Sequence, residues 1–188
     1  MIWLACLPAS IAATLLTWLL APILPLFAEA EYGPVDNATG MAVEPRLPWW
    51  LFWFSTYDNS LLGDAGHKAR WHDACSYMQQ VAWLFRNPAY LFEIDVTGAR
   101  IKAGDLICVK GDPSIKNRVG GRAGWYWCSC SGYWNFKVIV ALGPRCLMWE
   151  LGWKLQDLAK QKSRVALFDQ RAQIVWSPRM TSFNASPA

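Results

Sequence analysis

The chain has 188 residues, of which 54% are hydrophobic and 17% charged, with 13 Trp and a formal net charge of +4. This length allows one ordinary domain with additions, and the composition is more apolar than that of a typical soluble domain. So small a net charge argues against nucleic acid as a partner, whereas a mildly basic domain suits the surface of an anionic membrane.

The first 28 residues are apolar, and the first charged side chain of the chain is Glu29. An uncharged run of this length predicts a transmembrane anchor at residues 1–28, with a helix over residues 3–28. Ala28-Glu29-Ala30 also resembles a signal-peptide cleavage site, but no basic residue precedes the apolar run, which argues against a signal peptide. A helix buried in a soluble core is disfavoured because the run is apolar on every face. We therefore predict a retained, single-pass anchor.

All 18 Lys and Arg residues lie at Arg46 or later, so only the C-terminal side of the anchor is basic. Cytoplasmic flanks of membrane helices are enriched in Lys and Arg, while acidic residues count little in that rule. This asymmetry favours a cytoplasmic C-terminal domain.

Residues 29–47 are predicted to be a linker, because they contain Gly33-Pro34, Gly40 and Pro45 and show no hydrophobic period. An aromatic segment follows at residues 48–54. Such a run is too short to span a bilayer and is typical of a membrane interface; closing the domain's own core is an equally good interpretation. The predicted interface residues are Trp49, Trp50, Phe52, Trp53 and Phe54.

An amphipathic helix is predicted over residues 66–87, since its apolar positions recur at helical spacing. Asp64 is its predicted N-cap, and Asn87-Pro88 should end it.

Two strands, at residues 125–130 and 133–142, are predicted to flank the turn Ser131-Gly132. Apolar residues then alternate along residues 147–155, as they do along 134–142, which predicts an antiparallel meander with one buried face. The predicted fold class is therefore α+β. It has an N-terminal transmembrane helix, then an amphipathic helix packed on an antiparallel β-meander in a Trp-rich domain at residues 48–188.

Several short motifs along the chain resemble one family. They are Glu44-Pro45-Arg46-Leu47-Pro48-Trp49-Trp50, Tyr57-Asp58-Asn59-Ser60-Leu61, Trp83-Leu84-Phe85-Arg86-Asn87-Pro88-Ala89-Tyr90, Gly152-Trp153-Lys154-Leu155 and Arg171-Ala172-Gln173. The pattern resembles a family of short, N-terminally membrane-anchored proteins of tailed phages and prophages, over nearly the whole chain. The resemblance implies a phage or prophage origin in a bacterial host, and together with the predicted anchor this favours the bacterial inner membrane. Because that family has no assigned activity, no catalytic residues can be carried over from it.

A polar cluster is the best candidate for chemistry, and it consists of Asp58, Asn59, Asp64, His67, His72 and Asp73. Its oxygen ligands loosely resemble a calcium loop, but the spacing fails the EF-hand pattern. His67 and His72 are five residues apart, whereas two ligands on one helical face need four. A turn followed by a helix cap explains the cluster better, so we predict no metal and no cofactor.

Two further groups of residues carry weaker hypotheses. Cys108, Cys128, Cys130 and Cys146 could share a metal if their strands adjoin, but buried reduced thiols explain them better, with disulfides an option only in the periplasm. A basic, Gly-rich loop could contact phosphate through Lys116, Arg118 and Arg122, although a solvated loop is the simpler interpretation.

These features favour a non-enzymatic function. The leading hypothesis is a phage or prophage accessory protein that is anchored in the membrane and binds a host envelope or membrane-associated component. Its partners would be the lipid bilayer and a host or phage protein. The alternatives are a metal-dependent hydrolase that uses the polar cluster at residues 58–73, and a lysis or virion-associated protein.

Overall fold

The chain folds as two units, which a computed structural model describes over residues 2–33, 42–56, 59–118, 120–161 and 163–184. The helical unit is Pro8–Val96, and the sheet unit consists of Met1–Leu7 together with Thr97–Ala188. Helices are the main elements of the first unit, and antiparallel strands are the main elements of the second. The predicted α+β class is therefore confirmed.

The apolar N-terminal run forms α1 (Ile2–Leu20), with Pro8 inside it. Among the described residues, α1 is the helix that is long and apolar enough to cross a membrane. It ends well before Ala28, because Pro22 has no N–H to continue the helical hydrogen bonds. The amide of Ile23 bonds the Leu20 carbonyl instead, and a 3-10 helix follows at Leu24–Phe27. Residues 8–28 belong to the helical unit.

The segment predicted to be a linker contains an antiparallel pair of strands, so that prediction is wrong. β1 (Glu29–Gly33) pairs with β2 (Ala42–Arg46), and Glu29 lies opposite Arg46. Each strand has only five residues, which is too short for a clear hydrophobic period, so only the Gly and Pro residues between them were visible as signals. Residues 34–41 lie outside the described part.

The rest of the helical unit consists of short helices. A second 3-10 helix, Trp49–Phe54, is followed by α2 (Ala65–Arg70), α3 (Ser76–Arg86) and α4 (Tyr90–Asp95). The core of this unit consists of Ala21, Leu24, Leu47, Leu61, Val81, Trp83 and Leu84.

The amphipathic helix predicted over residues 66–87 is interrupted between α2 and α3. The side-chain amide of Gln79 donates to the carbonyls of Trp71 and Ala74, so it satisfies two acceptors that the break leaves without helical partners. The predicted ends are correct, because Asp64 caps α2 and Asn87, before Pro88, caps α3.

The sheet unit is built on an antiparallel meander, as predicted. Its strands are β4 (Ile107–Gly111), β5 (Gly124–Cys130), β6 (Tyr133–Leu142) and β7 (Arg145–Trp153). β10 (Arg179–Ser182) and β9 (Ile174–Trp176) both pair with β7, and β3 (Ala99–Ile101) pairs with β8 (Gln170–Ala172). A four-residue helix, α5 (Gln156–Ala159), follows β7. The Ser131-Gly132 turn is confirmed, and both of its residues have the positive φ of a tight hairpin.

The predicted apolar alternation of β7 is exposed over part of its length. Met148 and Glu150 of β7 are buried, whereas Leu147 and Trp149 are exposed. We call the sheet face that carries Trp149 the outer face and the opposite one the inner face. Register places Trp125, Val138 and Trp149 side by side on the outer face. The expectation that the apolar alternation marks the buried face is therefore wrong at Leu147 and Trp149, whereas Trp153 at the end of β7 is buried.

Candidate functional site

The predicted polar cluster is divided among separate structural roles. Asp64 accepts a hydrogen bond from the amide of His67 at 2.7 Å and forms an ion pair with Arg86 at 3.1 Å. The hydrogen bond from the His67 amide, and to a lesser degree the Arg86 guanidinium, lowers the pKa of the Asp64 carboxyl. The backbone carbonyl of Asn59 accepts from the Thr56 hydroxyl. Asp58 lies outside the described residues.

The two histidines of the cluster have opposite environments. His67 is buried, with its Nε2 atom 2.9 Å from the Gln79 carbonyl oxygen and its ring edge-on to Trp83 at 5.1 Å. His72 is exposed, and its Nε2 atom lies 3.1 Å from a carboxylate oxygen of Asp73, which is also exposed. The structure therefore gives His67 a packing role and leaves the pair His72–Asp73 at the surface.

No group of three or more His, Cys, Asp or Glu side chains within the described residues could hold a metal ion. Asp64 and His67, two residues of the hydrolase hypothesis, already cap α2 and pack beside Trp83. The geometry therefore offers this alternative no support.

The cysteines are all free thiols. Of the four that were considered as possible metal ligands, three are buried, namely Cys128, Cys130 and Cys146. Burial raises the pKa of Cys128 to about 12 and also raises that of Cys130 and Cys146. Such thiols are protonated at neutral pH and react slowly. Cys108 is exposed on β4.

The basic loop holds one of its cations in local interactions. Arg122 forms an ion pair with Asp112 at 3.3 Å and donates to the Ser114 hydroxyl at 2.9 Å. Its backbone also pairs with that of Lys116. Arg118 is exposed. The loop therefore presents exposed cations, and its described residues, 116–118 and 120–122, form no cradle of converging donors.

The predicted interfacial segment is exposed, as a membrane interface requires and a core plug does not. Trp49 is 84% exposed and Trp50 54%, and Phe52 and Trp53 are exposed as well, whereas Phe54 packs beside the helical core. The Trp50 ring contacts that of Phe27 at 5.7 Å. The aromatic segment is thus joined to the end of the N-terminal apolar run.

A polar site at α1 was not predicted from the sequence. Ser10, Thr14 and Thr17 are the buried residues of α1, and we call them its inner stripe. Ser10 donates to the buried carboxylate of Glu93 at 2.7 Å, and Thr14 donates to the same oxygen at 3.4 Å. The hydroxyl residues recur at i, i+4 and i+7 in an otherwise apolar helix, which is a signal that could have been read.

The sheet unit buries a second polar group that the sequence analysis missed. Lys137 and Glu150 lie directly opposite each other on β6 and β7, with 3.3 Å between ammonium and carboxylate. Lys137 also donates to the side-chain carbonyl of Gln156, whose amide donates to backbone carbonyls. On the same inner face, the hydroxyl of Tyr126 donates to Asn135. These groups satisfy one another in the interior of the sheet unit, so they stabilise its fold.

Comparison with other proteins gives a family. No curated protein matches the chain, and no solved structure matches it. A family model does match, over residues 1–182, and its description is a family of unknown function. The chain therefore belongs to the family of unknown function DUF7338.

Proposed function

We propose that this protein is a phage- or prophage-encoded accessory protein of the bacterial inner membrane, which acts by binding a host envelope or membrane-associated component. Membrane association is supported by which side chains of α1 are buried and which are exposed. Its hydroxyl side chains are buried, and its large apolar side chains are exposed.

This arrangement is the reverse of that in a soluble protein. Leu15, Leu16 and Leu19 are 56%, 47% and 74% exposed, and we call them the outer stripe of α1. Water would penalise such a surface, whereas lipid does not, and polar residues of membrane-embedded helices face protein. The phage or prophage origin rests on the motif resemblance.

Binding rather than catalysis is supported by how the polar candidates are used. Asp64 and His67 stabilise local structure through hydrogen bonds. Outside α1 and the aromatic segment, a large exposed surface of the sheet unit is apolar. On the outer face of the sheet unit, Trp125 and Trp149 are each about half exposed beside Val140 and Leu147. In this proposal, a protein partner from the host or the phage covers this apolar face. Nucleic acid is not the expected partner, because the net positive charge of the chain is small. The basic balance of residues after Arg46 places the sheet unit in the cytoplasm in this proposal.

Fractionation of the full-length protein, tagged at its C-terminus and expressed in a bacterial host, tests the membrane part. We expect the protein to stay in the membrane pellet after a wash with about 1 M salt, because ions do not screen the burial of apolar side chains in lipid. Protein in the soluble fraction before any wash would reject the proposal.

Affinity purification from detergent-solubilised membranes tests the binding part, with Trp149→Lys as the surface variant. Leu167→Lys, at an exposed leucine of the sheet unit, is a control for added charge. A partner recovered with the wild type and the control but lost with Trp149→Lys is expected. Equal recovery with all three would contradict the assignment of the outer face.

A further inference from the structure

The way in which α1 is packed bears on how it meets the bilayer. In the helical unit, the inner stripe is buried and the outer stripe is exposed. A helix that crosses a bilayer as an independent anchor contacts lipid on all sides. Here one side of α1 is instead occupied by folded protein.

Polar contacts to the neighbouring helices occur along the length of α1. Ser10 bonds Glu93 of α4, and the indole N–H of Trp18 donates to the Phe85 carbonyl of α3 at 3.3 Å. These two positions are separated by about 12 Å of helix rise. Just beyond the helix, the Tyr77 hydroxyl donates to the Pro22 carbonyl. The helical unit therefore follows α1 from its middle to its end.

A spanning orientation would carry charged groups into the hydrocarbon. Ser10 lies next to the midpoint of α1, so its partner Glu93 would lie near the centre of the bilayer. Arg86, which follows the residue bonded by Trp18, forms a partly exposed ion pair with Asp64, with 48% and 41% of the two side chains accessible. Ion pairs with this exposure require water, and charged groups at the bilayer centre are strongly disfavoured.

The first turns of α1 supply an independent observation within the sheet unit. Trp3 packs on Trp134 of β6, with 5.5 Å between the ring centroids, and Cys6 lies against the core of the same unit. A helix that crossed the membrane after Trp3 would place this residue on the opposite side from Trp134. The Trp3–Trp134 contact requires both residues on one side.

We propose that α1 lies in the plane of the membrane, with its outer stripe in the acyl chains of a single leaflet, so that the protein is monotopic. This inference rests on the proposed membrane association and specifies its geometry. An in-plane helix buries its apolar side about 5–10 Å deep. The two 3-10 helices add an exposed aromatic surface of their own, because Phe27 contacts Trp50 and both are exposed. Exposed indoles suit the headgroup level.

The location of the two chain ends distinguishes the two geometries. Epitope tags are placed at the N- and C-termini of the full-length protein, and protease is added to intact spheroplasts and to inverted inner-membrane vesicles. We expect both tags to be digested in the same preparation and protected in the other. Digestion of the two tags in opposite preparations would overturn the monotopic geometry and leave the membrane association intact. A protein found in the soluble fraction would overturn both.

A pair of matched variants tests which surface meets the lipid. Leu19→Lys places a charge on the outer stripe, and Leu167→Lys places one at an exposed leucine of the sheet unit, 62% exposed against 74% for Leu19. In sedimentation with anionic phospholipid vesicles, we expect Leu19→Lys to weaken binding about tenfold or more and Leu167→Lys to change it little. Equal effects of the two variants, with both proteins folded by circular dichroism, would contradict the proposed surface.

Discussion

Each of the two units buries a glutamate, and each supplies a different kind of partner for it. In the helical unit, Glu93 is 6% exposed and accepts hydrogen bonds from the hydroxyls of Ser10 and Thr14. In the sheet unit, Glu150 is 5% exposed and faces the ammonium of Lys137 at 3.3 Å. A buried carboxylate needs such partners, because transfer out of water is otherwise very costly.

The difference follows from the element that provides the partner. Lys137 comes from an inner strand of a sheet, where its charge is enclosed on the inner face. Ser10 comes from α1, whose other side is exposed and apolar. Hydroxyl groups let α1 bond a carboxylate while the helix itself stays uncharged. An apolar helix at the surface can therefore donate hydrogen bonds to a buried carboxylate without adding charge to the surface.

Removing the cation from the sheet unit should have the largest effect on stability. Lys137→Met leaves Glu150 buried without its ammonium partner, and the loss of one member of a buried pair costs about 3–5 kcal/mol. Chemical unfolding of the purified protein in mild detergent, followed by tryptophan fluorescence, measures the change.

The double variant Lys137→Met/Glu150→Leu is the control for this experiment. Since apolar replacement of a whole buried pair is often neutral, it should recover most of the lost free energy of unfolding. A single variant that costs less than about 1 kcal/mol would show that Glu150 does not depend on Lys137.

Removing a hydroxyl from the helical unit should have an intermediate effect. Ser10→Ala takes one donor from the buried Glu93 carboxylate, and a hydrogen bond to a charged group contributes about 1.5–3 kcal/mol. Thr17→Val is a matched control, since it removes a hydroxyl from the same stripe that bonds only the Ala13 carbonyl of its own helix. We expect this control to cost less than about 1 kcal/mol. Equal losses of unfolding free energy in the two variants would contradict this prediction, because the Ser10–Glu93 hydrogen bond would then stabilise the protein no more than the bond of Thr17 within its own helix.

The sequence predicted the features that depend on neighbouring residues. The Ser131-Gly132 turn and the Asp64 cap are determined by residues within three positions of each other, and both are present. Composition alone also marks the aromatic segment at residues 48–54, but it does not decide between an exposed interface and a buried plug.

The buried polar groups were not predictable in this way. Ser10 and Glu93 are 83 positions apart, so their contact depends on how α1 packs in the helical unit. The Lys137–Glu150 pair depends on the register between β6 and β7. Hydrophobic alternation separates the two faces of a strand, but which face is buried depends on what covers it. The expected assignment is reversed at Leu147 and Trp149, because the hydrophobic core of the sheet unit covers the inner face there.

The smallest effects are expected at the exposed carboxylates, where the two units resemble each other. Asp64 caps α2 and pairs with Arg86, and Asp112 bonds Ser114 and pairs with Arg122. The backbone amide of His67, then Arg86, lowers the pKa of Asp64, and the hydroxyl and amide of Ser114 lower that of Asp112.

Asp64→Ala should cost about 1 kcal/mol at neutral pH, the usual value of a lost N-cap. A carboxyl whose pKa is lower in the folded state stabilises fully above its unfolded pKa of about 3.9, and this contribution disappears as the pH falls through the folded value. The difference in unfolding free energy between wild type and Asp64→Ala should therefore shrink as the pH falls below about 4. Asp64→Asn keeps a cap acceptor without a titrating charge, so its stability should depend less on pH in this range than that of the wild type. If Asp64→Asn follows the wild type at every pH, the cap acts through its hydrogen bond alone, and the charge of Asp64 contributes nothing to the helical unit.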